Sequence, residues 1–275
     1  MRDYHLNKAK QAKARLAREA AAPPAKTAGA QVVNFPIGLH VRDPWIRIRE
    51  EAVRRLLEHG VLRTESLVEA LLTVAPERYL DEDATRSMLR DKPADDVPEG
   101  QLAPWLPLRV LAMGLEALEP STGDAVADLA ASSGYVPALL AELVGDQGTV
   151  AVVTPGHKTS LAALIPGLRP TAESTLRKAL ADRPNVRVTA GDVTTGGGLE
   201  GRFDQLWLGG ALPSFPRALR ALLVDPGGRA VTFLGPRFRP QDLVCLVRHG
   251  DRVDERRVTR ARVPVLAGQA GWLVA

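Results

Sequence analysis

The sequence predicts a doubly wound α/β fold. It consists of a mostly parallel sheet flanked by helices, an antiparallel hairpin at the C-terminal end and a helical extension at the N-terminal end. Three observations carry this prediction. The apolar period changes near residue 124, from helical spacing to short strand-sized runs. From there to Gly235 these runs alternate with helical stretches, which implies parallel strands joined by right-handed crossovers. Beyond Gly235 the pattern becomes strand, turn, strand, "DLVCLVRHGDRVDERRVTRARVPVLAG", an antiparallel hairpin with its turn at His249–Asp251 added to the sheet edge.

In chain order, residues 1–31 form a basic tail with good helix formers but few large apolar residues, so it is expected to be flexible. Residues 32–45 are expected to be an extended arm packed along the body. Residues 46–104 form a helical region that ends in a loop. In "WIRIREEAVRRLLEHG", Ile46, Ile48, Val53, Leu56 and Leu57 make one apolar side and Gly60 is a natural stop. Thr64 is placed to cap a second helix, "TESLVEALLTV", with Glu65 in its first turn, and "APERYLDED" closes the pair. A Pro- and Asp-rich loop covers residues 90–104.

The α/β domain spans residues 105–275. It opens with a helix at 106–118. Strands are expected at 125–131, 148–153, 185–192, 203–210 and 227–235, with helices at 135–145 and 215–224 and broken helical material at 158–182. The sequence contains no internal repeat.

Composition narrows the function classes. With 275 residues and 45% hydrophobic content, the chain can bury a sizeable core. Its apolar runs are strand-sized, too short for a membrane span, and the N-terminal residues lack an apolar signal region. The lone cysteine, Cys245 in "DLVCLV", reads as a buried strand thiol, and the five scattered histidines show no metal-ligand spacing. These features predict a cytoplasmic protein without a metal site.

Residues 1–31 hold seven Lys and Arg against two carboxylates, a net +5, so the other 244 residues carry about −1 of the total +4. The basic balance therefore belongs to the tail rather than to a nucleic-acid-binding body. The tail has one aromatic residue, Tyr4, which also argues against nucleic acid. It reads either as a solvated extension or as an arm for an acidic partner.

The segment most informative about chemistry is "VADLAASSGY". A strand ends in an acid, a turn of small residues follows, and a helix begins. Such a turn can bring backbone amides and a helix N-terminus close to a ligand. Its candidate binding residues are Asp128, Ala130, Ser132, Gly134 and Tyr135.

Around this turn, residues 50–272 resemble the protein-L-isoaspartate O-methyltransferases. The resemblance rests on five stretches in order. They are "REEAVRRLLEHGVLRTESLVEALLTVAPERYL", "EGQLAPWLPLRVLAMGLEAL", "DLAASSGYVPALLAELVGDQGTVAVV", "NVRVTAGD" with "FDQLWLGGA", and "LVDPGGRAVTFLG" with the closing "VPVLAGQAGW". The resemblance implies a Rossmann-like methyltransferase sheet, S-adenosylmethionine as cofactor and a protein or peptide carboxylate as methyl acceptor.

It also locates three departures from the family and a match at Asp192. The family turn reads acid-x-Gly-x-Gly-x-Gly-Tyr. Asp128, Gly134 and Tyr135 match it, whereas Ala130 and Ser132 replace glycines. The family acid that takes the ribose hydroxyls is replaced by Thr154. Asp192 matches the acid near the adenine, and reads equally as a turn aspartate before "TTGGG". The family's substrate-side loop, Gly-Gln-Thr-Ile-Ser-Gln-Pro, becomes Gly100-Gln101-Leu102-Ala103-Pro104-Trp105-Leu106. Gln101 is kept, while Leu102 and Pro104 replace the two hydroxyl residues.

The resemblance with these departures implies cofactor binding that is weakened or lost, and no isoaspartate repair. Two readings stay open: a divergent methyltransferase acting on another protein or peptide carboxylate, or a catalytically silent relative that serves as a protein-interaction module. No catalytic side chain is assigned.

Overall fold

The computed structural model describes residues 43–94, 97, 102–156 and 172–272. The tail, most of the arm, Gln101 and the expected helical material at 158–171 lie outside the described residues.

The first helix, α1 (Pro44–Glu58), starts two residues earlier than its apolar pattern suggests, so the last residues assigned to the arm are helical. The Asp43 carboxylate caps it by accepting from Trp45 N at 2.9 Å, and Pro44 sits at the first helical position, where a missing N–H costs nothing. Helix α2 (Glu65–Thr73) does follow Thr64, but the Thr64 side chain makes no cap within its own helix. Instead the carboxylate of Glu116, far along the chain, accepts from Arg63 N, Thr64 N and the Thr64 hydroxyl at 2.8–2.9 Å. The stretch expected only to close the helical pair carries more structure, with a 3-10 turn at Pro76–Arg78 and a helix α3 (Glu82–Leu89) capped by Asp81. Helix α4 (Leu108–Leu118) buries Leu108, Leu111, Ala112, Leu115 and Leu118, the helical spacing of one apolar face.

The α/β body then runs β1 (Ala125–Leu129), α5 (Tyr135–Val144), β2 (Thr149–Pro155), α6 (Ala172–Ala179), β3 (Val186–Gly191), β4 (Gln205–Leu212), α7 (Arg217–Leu222), β5 (Arg229–Leu234), β6 (Gln241–His249) and β7 (Arg252–Ala261). The sheet order is β3-β2-β1-β4-β5-β6-β7. The first five strands are parallel, and β6 and β7 add antiparallel, as the sequence predicts. Strand β1 is central, paired on both sides and almost completely buried.

His249 pairs with Arg252, so the hairpin connection is the two residues Gly250 and Asp251. Gly250 takes φ 62°, which a two-residue turn with glycine first requires. The outer strand β7 exposes mostly charged side chains, which discourages pairing with another strand.

One apolar cluster packs α1–α5 onto one sheet face, with Trp207 and Phe233 among its largest side chains. A second, around Leu208 and Leu212, fills the other face. Gly114 lets α4 approach the sheet, since a Cβ there would lie 2.6 Å from the Trp207 ring. Cys245 is buried on β6 with its thiol donating to Ala117 O at 3.3 Å, and burial pushes its pKa up. No helix among the described residues is long and apolar enough to cross a membrane.

Candidate functional site

The sheet order reverses direction at β1, whose neighbours are β2 and β4. In an open parallel sheet this leaves a crevice beyond the carboxyl ends of the strands, because the two flanking crossovers go to opposite faces. A small cleft of about 40 Å³ lies there, lined by Asp128, Ala130, Ser132, Leu102, Trp105 and Trp207 among others.

Asp128 is 1% exposed, and its Oδ2 has no hydrogen-bond partner. Burial raises its pKa from 3.8 to about 8. A buried carboxylate without a partner is costly and holds its proton until a cation or donor reaches it. Beyond it the chain leaves the strand at Ala130, whose N–H donates to Val153 O at 2.9 Å and whose φ is 75°. This is the left-handed region, where an alanine is strained by roughly 1 kcal/mol relative to glycine. Ala130 therefore stands where the local geometry wants a glycine.

Ser132 keeps the next position occupied in a different way. Its hydroxyl donates to Ala103 O at 2.5 Å, tying the cofactor-type turn to the loop that carries Leu102 and Pro104. Gly134 has φ −75° and is required for space rather than conformation, since a Cβ would stand 2.6 Å from the Tyr79 ring. Tyr135 opens α5 buried beneath it, with its ring centroid 6.5 Å from that of Tyr79 and its hydroxyl pKa raised by burial.

The loop 102–106 folds over the turn. Leu102 and Trp105 are half-buried and Pro104 is exposed, and the Trp105 indole N–H donates to Lys92 O at 3.1 Å. Leu102 and Pro104 bring no side-chain donor to this edge, and Pro104 has no N–H.

The two remaining candidates are placed elsewhere. Thr154 sits two residues past Val152, which pairs with Asp128, so it presents the same sheet face as Asp128. It is fully buried and does not line the cleft, and its hydroxyl points to Thr189 O at 3.5 Å. Asp192, just beyond β3, is engaged on both oxygens. Oδ1 accepts from the N–H and hydroxyl of Thr194 at 2.9 and 2.6 Å, and Oδ2 accepts from Gln269 N at 2.8 Å. It joins its own loop to the C-terminal segment.

Two aromatic contributors escaped the sequence reading. Trp207 lies within a strand that reads simply as apolar, and Tyr79 lies in a stretch with no periodic signal. The Gly209–Gly210 pair just after Trp207 was the available hint that this strand end is crowded.

On one side, then, the residues fit a cationic ligand, with an unpartnered buried carboxylate beneath a tight turn. Comparison with known proteins identifies the family. The sequence profile of the protein-L-isoaspartate(D-aspartate) O-methyltransferases matches residues 47–269. A protein-L-isoaspartate O-methyltransferase of Methanopyrus kandleri is 32% identical over 226 residues, covering 82% of this chain and 94% of that protein. One from Methanococcus aeolicus is 28% identical over 227 residues, 82% and 97% of the two chains.

Among solved structures, a Plasmodium falciparum protein described as a β-aspartate methyltransferase of this kind, in complex with S-adenosyl-L-homocysteine, superposes with a TM-score of 0.62. It is 14% identical and covers 80% of this chain and 98% of that one. At that identity the match speaks for the fold alone. With the profile spanning most of the sequence and a relative 32% identical over most of both chains, the chain belongs to the protein-L-isoaspartate(D-aspartate) O-methyltransferase family.

Proposed function

We propose that this chain is a divergent member of its family that takes S-adenosylmethionine, weakly, at the turn after β1. The methyl group would go to a protein or peptide carboxylate other than an isoaspartyl one. The observation that carries this reading is Asp128, a buried carboxylate with an unpartnered oxygen at the cleft. The bound cofactor supplies an electrophilic sulfonium methyl group together with positive charge. Asp128 would complement that charge, and in doing so would give up the proton that burial makes it hold. The turn from Ala130 to Gly134 and the N-terminus of α5 would supply backbone amides.

Weak binding follows from Thr154 in place of a carboxylate. Loss of a charge-assisted acceptor pair costs roughly 1.5–3 kcal/mol. The acceptor preference follows from Leu102 and Pro104, which give an incoming isoaspartyl carboxylate no hydroxyl to bind. Residues 1–31 as a flexible basic tail for an acidic partner, residues 32–45 as an arm, and action in the cytoplasm remain parts of this proposal.

The buried Thr154 and the engaged carboxylate of Asp192 favour one alternative, a catalytically silent module that keeps the fold for protein contacts. Calorimetric titration with S-adenosylmethionine and S-adenosylhomocysteine separates the two. The proposal expects a dissociation constant of about 100 μM, near −5.5 kcal/mol, lost in Asp128→Asn. No heat at any concentration would favour the silent module. Low-micromolar binding, or methylation of an isoaspartyl peptide, would overturn the expected weakness or the expected acceptor respectively.

A further inference from the structure

Phe238 is 76% exposed and is the only exposed large hydrophobic side chain among the described residues. It lies in the turn "GPRFRPQ" between β5 and β6. Because β5 runs parallel to β4 and β1, this turn follows the same carboxyl edge of the sheet as the cleft. Two strand spacings separate β5 from β1, about 10 Å.

The turn is held in shape. The Gln241 amide donates to Pro236 O at 2.9 Å and accepts from Val263 N at 3.1 Å, and Pro236 and Pro240 restrict the backbone. The Arg237 guanidinium stacks 5.3 Å from the Phe238 ring centroid. Arg239 is exposed beside it, and exposed Arg262 follows the end of β7, which pairs with β6 at Gln241–Ala261. No carboxylate lies between Gly235 and Gln241. Nearby Asp242 is paired with Arg260 at 2.8 Å.

A rigid, exposed aromatic flanked by arginines is the composition of an interface anchor rather than of ordinary surface. We infer that the 236–240 turn docks an acidic, partly apolar segment of the protein substrate beside the cleft. Phe238 enters the apolar part, and the exposed Arg239 and Arg262 face the carboxylates. This rests on the proposed reading that the methyl acceptor is a protein or peptide. Two other occupants are disfavoured by charge. The chain's own tail carries +5, and a second copy docking symmetrically would set arginine against arginine.

The test uses the full-length chain without cofactor and a fluorescein-labelled synthetic peptide of Asp, Glu, Ser and Leu, read by anisotropy. Its counterpart has Lys at every acidic position. The acidic peptide should bind and the basic one should not, with affinity falling as salt rises from about 50 to about 300 mM. Phe238→Ala and the double variant Arg239→Ala/Arg262→Ala should each weaken binding about tenfold. Thermal melting should be unchanged in both, because Phe238, Arg239 and Arg262 are exposed.

Equal binding of both peptides, or variants that bind like the parent, would overturn the inference. So would sedimentation with phosphatidylserine vesicles that Phe238→Ala abolishes, which would assign the turn to a membrane. Since the readout needs no cofactor, peptide binding without S-adenosylmethionine binding would defeat the proposed activity and leave this site standing. The reverse result would remove only this site.

Discussion

The two sides of the cleft differ in how their polar groups are satisfied. On the β1 side, Asp128 is buried with an oxygen that has no partner, and Ala130 is held at φ 75°. On the β2 and β3 side, the Thr154 hydroxyl is turned to a strand carbonyl and the Asp192 carboxylate is fully engaged by Thr194 and Gln269. The first side stores unfavourable energy that a ligand could relieve. The second has relieved its own. A shared fold can thus keep one half of a binding site open to a ligand while the other half closes on itself.

The sharpest way to break this contrast is Asp128→Asn. Burial raises the Asp128 pKa from 3.8 to about 8, so between those values the folded chain holds a proton that the unfolded chain has released. Stability should therefore fall as pH rises from about 4 to about 8 and level off above, by at most roughly 6 kcal/mol in total. Urea melts across this range should show the slope in the parent and its absence in Asp128→Asn. A flat parent profile would mean that Asp128 is not the stressed group described here.

The second test rebuilds the closed side. Thr154→Glu restores a carboxylate on the sheet face that Asp128 shares. It should tighten S-adenosylhomocysteine binding by one to two decades, the roughly 1.5–3 kcal/mol of a charge-assisted pair. Unchanged calorimetric affinity would show that more than one side chain separates the two sides.

Smaller effects concern the turn. Ala130→Gly should raise stability by about 1 kcal/mol, as a shift in the denaturation midpoint without a change in slope. Ser132→Ala removes a single exposed hydrogen bond, so it should cost no more than about 1 kcal/mol. Its clearer signature should be faster amide exchange across residues 102–106, followed by mass spectrometry.

Much of the fold was legible because its signals are local. The strands carry short apolar runs, helix α4 carries a full apolar stripe, and Gly250 marks the hairpin turn. What escaped is held by distant partners. The Glu116 cap on α2 joins residues 52 or 53 positions apart, which no window around Thr64 contains. Helix α3 is short and follows a 3-10 turn, so its apolar spacing has little length in which to repeat.

The site divides in the same way. Asp128, Ala130 and Gly134 were found from their order in one turn. The full engagement of the Asp192 carboxylate depends on Gln269, 77 residues away, and the Ser132 bond depends on Ala103. Trp207 reads as any buried strand residue until Gly114 is seen packed against it.

The strained alanine also has a genetic side. Every alanine codon becomes a glycine codon by one base change, so the less strained backbone at residue 130 is a single mutational step away. A randomised library of this gene, selected for resistance to denaturation, should enrich that step early. Substitution of Thr154 by glutamate needs more than one base change from any threonine codon, so error-prone replication will seldom sample it. The turn is therefore the part of the site most open to rapid adaptation, and the ribose side the part most insulated from it.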